Sequence, residues 1–340
     1  MCSMSTRVDL SVCGAATVPG AAATWFDQVR AEERTNNYYY LLDRDCDWAL
    51  PFATRGLPAS ALAHLAPERP VRIDVSPPGV SAGDLAIQAA RLALAEMERD
   101  APPGQAGKVR WLIYCPTTVD EDTGSSIVCR IAHELQLPQC FPIALSQAQV
   151  AGTFVALLLA ASLLGDADPQ DRVLVVAADK WMFPFVRAHG LWGVASDGGA
   201  ALVLGGADVP ARISLSSISV ASAPESMWAP TETLTLPALD PGDVQAAAAA
   251  AIEASGVEPA SVRRPLPRAE AADAGVGPTL ARLVDALQRE GADGVDPGTG
   301  LIVLQGIHGD VGACTVTIHP RPAAPLAPSH EAAEAAMETP

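Results

Sequence analysis

The sequence is poor in charged and aromatic residues, and its charge is strongly of one sign. Of its 340 residues, 18% are charged and 5% aromatic, whereas 49% are hydrophobic. A chain of this composition can bury a large core, which excludes intrinsic disorder as its general state. Only 22 basic residues oppose 39 acidic ones, for a net charge of -17. Because such a surface repels phosphate backbones and anionic lipid, we expect neither nucleic acid nor a membrane as a partner.

Patterns that bind metals or nucleotides are also missing. The seven cysteines are irregularly spaced, with no CxxC pair and no Cys/His cluster, so we predict no metal site. Neither GxGxxG nor GxxxxGK(S/T) occurs, and we predict no cofactor. The start, MCSMSTRVDLSVCG, has no basic segment followed by an apolar one. We therefore expect that the chain has no secretory signal. We also expect a cytoplasmic location, where the thiols are reduced.

No uninterrupted apolar run is long enough to cross a bilayer. The most apolar stretch runs from Phe141 to Leu164 and is interrupted by the polar side chains of Ser146, Gln147, Gln149 and Ser162. These groups are costly in a lipid core. We interpret the stretch as a buried helix.

Short β-like runs alternate with longer amphipathic patterns, which is typical of an α/β fold whose sheets are covered on both faces. The candidate strands are Val71–Val75, Val109–Cys115, Arg172–Ala177, Ala200–Leu204, Arg212–Val220, Leu301–Gln305 and Thr315–His319. The candidate helices are Ala82–Arg99, Gly124–Leu135, Gly152–Leu164, Val244–Ala254 and Pro278–Glu290.

The composition shifts after Gly206, which predicts two halves, residues 1–206 and 207–320. The strand VRWLIYC in the first half has a weak echo, GLIVLQG, in the second. Residues 221–243 are rich in Pro, Ser and Thr and are predicted to form a long surface loop. Residues 321–340 are rich in Pro and Ala and are predicted to be a disordered tail.

Three stretches in order carry a resemblance to a known family: WLIYCPTTVDEDTGSSIVCRIAHELQL, then CFPIALSQAQVAGTFVALLLAASLL, then VLVVAADK with GVASDGGAALVL. Together with GLIVLQGIHGDVGACTVTI, they resemble the ketoacyl synthase III branch of the thiolase superfamily over roughly residues 82 to 319. The resemblance implies a thiolase fold, layered αβαβα with two similar halves. It also implies acyl thioesters of acyl carrier protein or coenzyme A as ligands.

In that family a nucleophilic Cys, a small residue and Gly begin a buried helix. The matching tripeptide here is Val150-Ala151-Gly152. A Cys at this place is acylated because its thiolate attacks a thioester, whereas an isopropyl group has no lone pair. The resemblance also places the glycine-rich loop Gly306-Ile307-His308-Gly309 beside the oxyanion site. The implied substrate pocket therefore includes Val150, Gly306, His308 and Gly309.

A different register offers other chemistry. Shifts of one, three or four positions place Gln149, Gln147 or Ser146 at the turn, and an amide can hold an enolate oxygen without forming an acyl-enzyme. The alternative is that these side chains only cap the strand-to-helix turn. His308 can act as an acid or base, or it can line the cavity without a catalytic duty.

The other two family residues, a His and an Asn, are missing as well. Their family-like places fall at Arg263–Ala269 and Gly275–Gly277, where neither residue occurs. The chain has no Asn after Asn37 and no His between His189 and His308. Since all three catalytic positions are empty, the sequence predicts that the chain alone does not catalyse condensation.

Pairing is the role that the resemblance implies for such a chain. Thiolase-fold proteins act as dimers, and some active synthases have a degenerate sister subunit. The family segment that reaches over the dimer interface matches Cys115–Cys129, so we predict interface contacts at Thr117, Thr118, Gly124 and Cys129. Gly124 stands where relatives carry a bulky side chain, which predicts a deeper acyl pocket in the partner.

Three further residues are expected to be structural. Asp197 precedes a buried strand at an Asp-Gly turn, and Cys140 and Cys314 are expected to be core thiols.

Three hypotheses remain at this point. The first is a non-catalytic ketoacyl synthase III-like subunit that pairs with an active condensing enzyme in polyketide or fatty-acyl natural-product biosynthesis. The second is an acyltransferase, decarboxylase or hydrolase of acyl thioesters that uses Gln147, Gln149 or His308. The third is a homodimeric acyl-binding protein without turnover.

Overall fold

A computed structural model describes residues 3–20, 22–25, 71–77, 79–101, 107–118, 126–145, 149–181, 195–221, 241–263, 278–292, 295–305 and 311–320. The strands are β1 Ser3–Pro19, β2 Ala22–Trp25, β3 Arg72–Val75, β4 Lys108–Tyr114, β5 Phe141–Ala144, β6 Asp171–Asp179, β7 Gly198–Gly206, β8 Ile213–Ala221, β9 Val262–Arg263, β10 Gly298–Gln305 and β11 Val311–Ile318. The helices are α1 Ala82–Asp100, α2 Ile127–Glu134, α3 Gln149–Leu164, α4 Pro241–Ser255 and α5 Thr279–Glu290.

Nine of these strands form one mixed sheet in the order β5-β4-β6-β7-β1-β8-β11-β10-β9, while β2 and β3 pair separately. Strand β4 runs parallel to β6, and β6, β7 and β1 are antiparallel neighbours. In the second half, β9 runs parallel to β10, and β10, β11 and β8 are antiparallel neighbours. The pairing pattern of the first half is therefore repeated in mirror order around the β1–β8 contact.

The helices and the two half-sheets stack in five layers. Helices α3 and α5 lie between the half-sheets, and side chains of both halves share this central core, for example Leu157, Leu283, Leu202 and Ile302. Helices α1 and α2 cover the outer face of the first half-sheet. Helix α4 covers the outer face of the second half-sheet. The layered αβαβα prediction is confirmed.

The central strands are apolar on both faces because helices cover both faces. In β6, Val173 and Val175 belong to the central core, whereas Leu174 and Val176 belong to the outer core under α1. Successive side chains of a strand point to opposite faces, so a continuous apolar run supplies both layers at once.

Helix α3 is apolar almost all round, as expected for a helix between two sheets. Its residues Phe154, Ala156, Leu157 and Ala160 are fully buried. In the described part of the chain, no helix is both long and apolar enough to span a membrane.

Four strands correct the sequence interpretation, since β1, β2, β5 and β9 are not among the candidate strands. Strand β1 was not predicted, because its bulges between Arg7 and Leu10 and between Val12 and Gly14 interrupt the alternation of side chains. Residues Phe141–Ala144 form strand β5 instead of beginning a buried helix. Pro142 is compatible with this strand because β5 lies at the sheet edge, where one side of the backbone needs no ladder partner.

The five predicted helices agree with the structure to within about three residues at each end. Strands β7 and β8 lie on either side of the boundary predicted at residue 206, which stays a prediction, as does the division at residue 320. The predicted loop at 221–243 lies almost wholly outside the described residues. The predicted tail at 321–340 lies entirely outside them.

Candidate functional site

Strands β4, β5 and β6 are parallel, so their carboxyl ends lie on the same side of the first half-sheet. The site begins at these strand ends. Leu145 continues this pairing, since its N–H donates to the carbonyl of Tyr114 over 2.8 Å. Helix α3 then begins at Gln149, so the backbone of Val150 lies in its first turn. The N-terminal end of a helix lowers a thiol's pKa, and the sequence places a hydrocarbon there.

The second half-sheet contributes the same kind of edge. Strands β9 and β10 are parallel and end at Arg263 and Gln305. The predicted place of the family His therefore follows one strand end, and the predicted Gly306–Gly309 loop follows the neighbouring strand end. Residues 264–277 and 306–310 lie outside the described residues. His308, Gly306, Gly309 and the Asn position near Gly275 thus stay predictions.

A close contact joins helix α3 of the first half to strand β11 of the second half. The ring of Phe154, one turn after Val150, lies against the backbone of Gly312 at the start of β11. A Cβ atom at Gly312 would lie 2.0 Å from Cδ2 of Phe154, so any side chain there would force the ring to move. This contact brings the N-terminal part of α3 next to the strand that follows the Gly306–Gly309 loop. The structure therefore brings together the parts of the chain that flank the predicted pocket.

Cys115 is a thiol that the sequence analysis did not single out. It follows the last residue of β4, is 4% exposed, and interacts with the carbonyl of Val176 over 3.6 Å. Burial raises its pKa to about 12, and the charge of Asp179 adds to this rise, while a hydrogen bond with Thr153, the fifth residue of α3, opposes it. Such a thiol is almost wholly protonated at neutral pH and is a poor nucleophile.

The two cysteines named from the sequence lie elsewhere. Cys314 is fully buried in β11, within the central core, and burial raises its pKa to about 12. Cys140 is half-buried just before β5, and burial raises its pKa to about 11. Both environments disfavour a thiolate.

Asp179 organises the carboxyl edge of β6. It is 2% exposed, and its Oδ1 atom accepts hydrogen bonds from the N–H groups of Thr117 and Thr118 over 2.6 and 2.9 Å. Burial raises the pKa of Asp179 and the charge of Asp197 raises it further, while the bonds from Thr118 and Thr117 oppose the rise. The predicted interface residues Thr117 and Thr118 are thus anchored to the sheet.

Asp197 has the structural role expected of it. Its Oδ2 accepts from the N–H of Ser76 over 2.8 Å, and its Oδ1 accepts from the N–H of Trp181 over 2.9 Å. Its own N–H donates to the carbonyl of Asp74. One carboxylate therefore ties the end of β3 and the end of β6 to the start of β7.

The remaining predicted interface residues differ in position. Thr118 is buried, Cys129 is exposed on α2, and Gly124 lies outside the described residues. Gln149 is the first residue of α3, and Gln147 lies outside the described part. Among the described residues, no group of three or more His, Cys, Asp and Glu side chains could hold a metal ion.

No protein-family model matches the sequence, and no curated protein matches it. Solved structures do resemble it. The acyltransferase ChlB3 is 17% identical with a TM-score of 0.63, over 91% of this chain and 98% of that one. A single-substitution variant of Xanthomonas campestris OleA bound with cerulenin is 16% identical with a TM-score of 0.59, over 91% of this chain and 96% of that one.

A priming β-ketosynthase of a polyketide biosynthetic pathway is 17% identical with a TM-score of 0.60, over 93% of this chain and 98% of that one. At such low identity these likenesses establish the fold alone. The chain has the layered thiolase fold that it shares with these solved structures.

Proposed function

We propose that the chain is a non-catalytic ketoacyl synthase III-like subunit that pairs with an active condensing enzyme in polyketide or fatty-acyl natural-product biosynthesis. The observation that carries the proposal is the hydrocarbon side chain of Val150 at the first turn of α3. It is supported by the lack of any Asn after Asn37 and of any His between His189 and His308. In the described residues, the Cys115 thiol interacts with Thr153, three residues after Val150, and a thiol with a pKa of about 12 is protonated at neutral pH.

The exposed edge of the sheet supports pairing. Strand β5 is the terminal strand of the nine-stranded sheet, so one side of its backbone has no ladder partner among the described residues. Its first residue, Phe141, is 65% exposed. A sheet edge with exposed apolar side chains is a natural surface for a second protein.

In the proposed complex the partner supplies the nucleophile and the proton-transfer groups. The acyl group arrives as a thioester of acyl carrier protein or coenzyme A, and the complex works in the cytoplasm. The chain's part is to complete the partner's acyl pocket through the segment that follows Thr118. Neither metal nor cofactor is required for this role.

The test is co-expression with an active ketoacyl synthase III-like subunit encoded beside this chain. We expect the two chains to copurify in equal amounts, with condensing activity only when the active subunit is present. Phe141→Asp should weaken the complex, because it places a charge on an apolar contact. Leu92→Asp is the matched control, since Leu92 is also exposed, at 49%, but lies on α1. A stable homodimer that ignores the active subunit contradicts the proposal.

A second candidate is altered thioester chemistry by this chain alone. The similarity in fold to the acyltransferase ChlB3 and the position of Gln149 at the start of α3 favour it over simple binding. The purified chain would then turn over an acyl thioester without a partner, and Gln147→Ala, Gln149→Ala or His308→Ala would abolish turnover. Binding of an acyl thioester by a homodimer with no turnover would instead support an acyl-binding protein.

A further inference from the structure

The residues that follow strand β4 are hydrogen-bonded to the carboxylate of Asp179. The N–H of Cys115 makes the last ladder bond, 2.8 Å from the carbonyl of Val176. Pro116 follows, and because proline has no N–H it cannot continue the ladder. The N–H groups of the next two residues, Thr117 and Thr118, would be left without an acceptor. Both donate to Oδ1 of Asp179 on the neighbouring strand.

The side chain of Thr118 adds a second set of hydrogen bonds between the end of β6 and the residues after β4. The hydroxyl of Thr118 lies 3.5 Å from Oδ1 of Asp179 and accepts the N–H of Lys180 over 3.1 Å. Lys180 is buried, and its ammonium group donates to the carbonyl of Val80 over 2.7 Å. The residues at the end of β6 therefore fix the residues just after β4, and the charged acceptor in this contact is the carboxylate of Asp179.

We propose that Asp179 is a proton-sensitive latch, which closes on Thr117 and Thr118 when its carboxylate is ionised and loosens when it is protonated. Hydrogen bonds to an ionised acceptor are roughly twice as strong as those between neutral groups. Loss of the charge therefore weakens both amide bonds without removing the acceptor atom. The latch concerns the isolated chain and does not depend on the pairing proposal.

The charged surroundings set the pH at which the latch loosens. Burial and the neighbouring charge of Asp197 raise the pKa of Asp179, so protonation begins at a higher pH than for an ordinary Asp. The N–H of Asp197 donates to the carbonyl of Asp74. The pKa of Asp74 is raised by burial and then by the charge of Asp197. Lys180, the next residue in the chain, carries a positive charge, and the Cys115 thiol just after β4 is neutral because its pKa is raised to about 12.

Local and global stability should then respond to acid in opposite directions. Because the folded-state pKa of Asp179 is raised, its contribution to folding stability is largest below its unfolded pKa and is lost as pH rises through its folded pKa. Acidification through this window therefore favours the folded state at Asp179 while it weakens the bonds at Thr117 and Thr118. If Asp179 had only a structural role, acid would not lower the local protection of Thr117 and Thr118 while it favours the folded state.

Hydrogen exchange of the full-length chain, followed at single amides between pH 4 and 7 and corrected for the intrinsic rate, tests the latch. We expect protection of Thr117 and Thr118 to fall about five-fold on acidification. Asp179→Asn keeps an oxygen acceptor without a titrating proton and should give a flat profile. Asp197→Asn should retain the fall but move its midpoint to lower pH.

Two results would overturn the latch. One is a flat protection profile for Thr117 and Thr118 in the wild-type chain. The other is an Asp179→Asn variant with the same pH dependence as wild type. If Asp179→Asn does not fold, the midpoint shift in Asp197→Asn still decides, because an unchanged midpoint means that Asp179 is not the titrating group.

Discussion

The contact between Phe154 and Gly312 allows a direct test of how the two halves meet at the site. A Cβ atom at Gly312 would lie 2.0, 2.2 and 2.6 Å from three ring atoms of Phe154, whereas ordinary contact is 3.4–4 Å. The ring must therefore move by about 1.4 Å, and Phe154 is fully buried in the central core. Overpacking of this kind costs about 1–3 kcal/mol. We expect Gly312→Ala to lower the free energy of unfolding by about 2–3 kcal/mol.

Urea denaturation followed by circular dichroism measures this change. Gly206→Ala is the matched control, because Gly206 also lies in a strand and its Cβ would have 3.8 Å to the nearest atom. That control should change the free energy of unfolding by less than about 1 kcal/mol. Phe154→Leu should partly rescue Gly312→Ala, so that the double variant loses less than the sum of the singles. Equal effects of the two glycine substitutions, or strict additivity, would refute the proposed contact.

Three shorter predictions follow. Ser217→Ala should lower the free energy of unfolding by about 1–3 kcal/mol, since the buried hydroxyl donates to a carbonyl of α4; a thermal melt identical to wild type would contradict this. Burial would raise the pKa of Asp84, but bonds from Ser81 and Arg130 lower it overall, so Asp84→Ala should lower Tm at pH 7 and have less effect as the pH falls through the lowered pKa. A thiol reagent at pH 8 should label exposed Cys129 before buried Cys115, as peptide mass mapping would show, and equal labelling rates would contradict the burial.

Much of the fold could be predicted because covered sheets and buried helices leave clear patterns. The continuous apolar run of β6 is explained by helices on both of its faces. Helix α1 begins after Ser81, whose side chain forms a capping box with Asp84. These features are local, so a sequence can reveal them.

The features that were missed depend on partners distant in the chain. Strand β1 is bent by two bulges so that its first part pairs with β8 and its last part with β7. The early start of β11 is hidden by Gly312, whose small size is explained only by the ring of Phe154. Likewise, no spacing rule relates Asp179 to Thr117, because their contact depends on parallel pairing of β4 and β6. These features depend on contacts between residues that are far apart in the sequence, so a local sequence pattern does not predict them.

The central claim is that this chain presents no nucleophile at the start of α3, and intact-mass measurement with an activated acyl thioester tests it most directly. The background carries Cys129→Ser, which removes the exposed thiol of the described residues, together with Cys2→Ser and Cys46→Ser, since both of these cysteines lie outside them. In this background we predict no adduct on the otherwise native chain. Val150→Cys should gain one acyl group, because the helix N-terminus favours a thiolate there. One acyl group on the chain that retains Val150 would contradict the account.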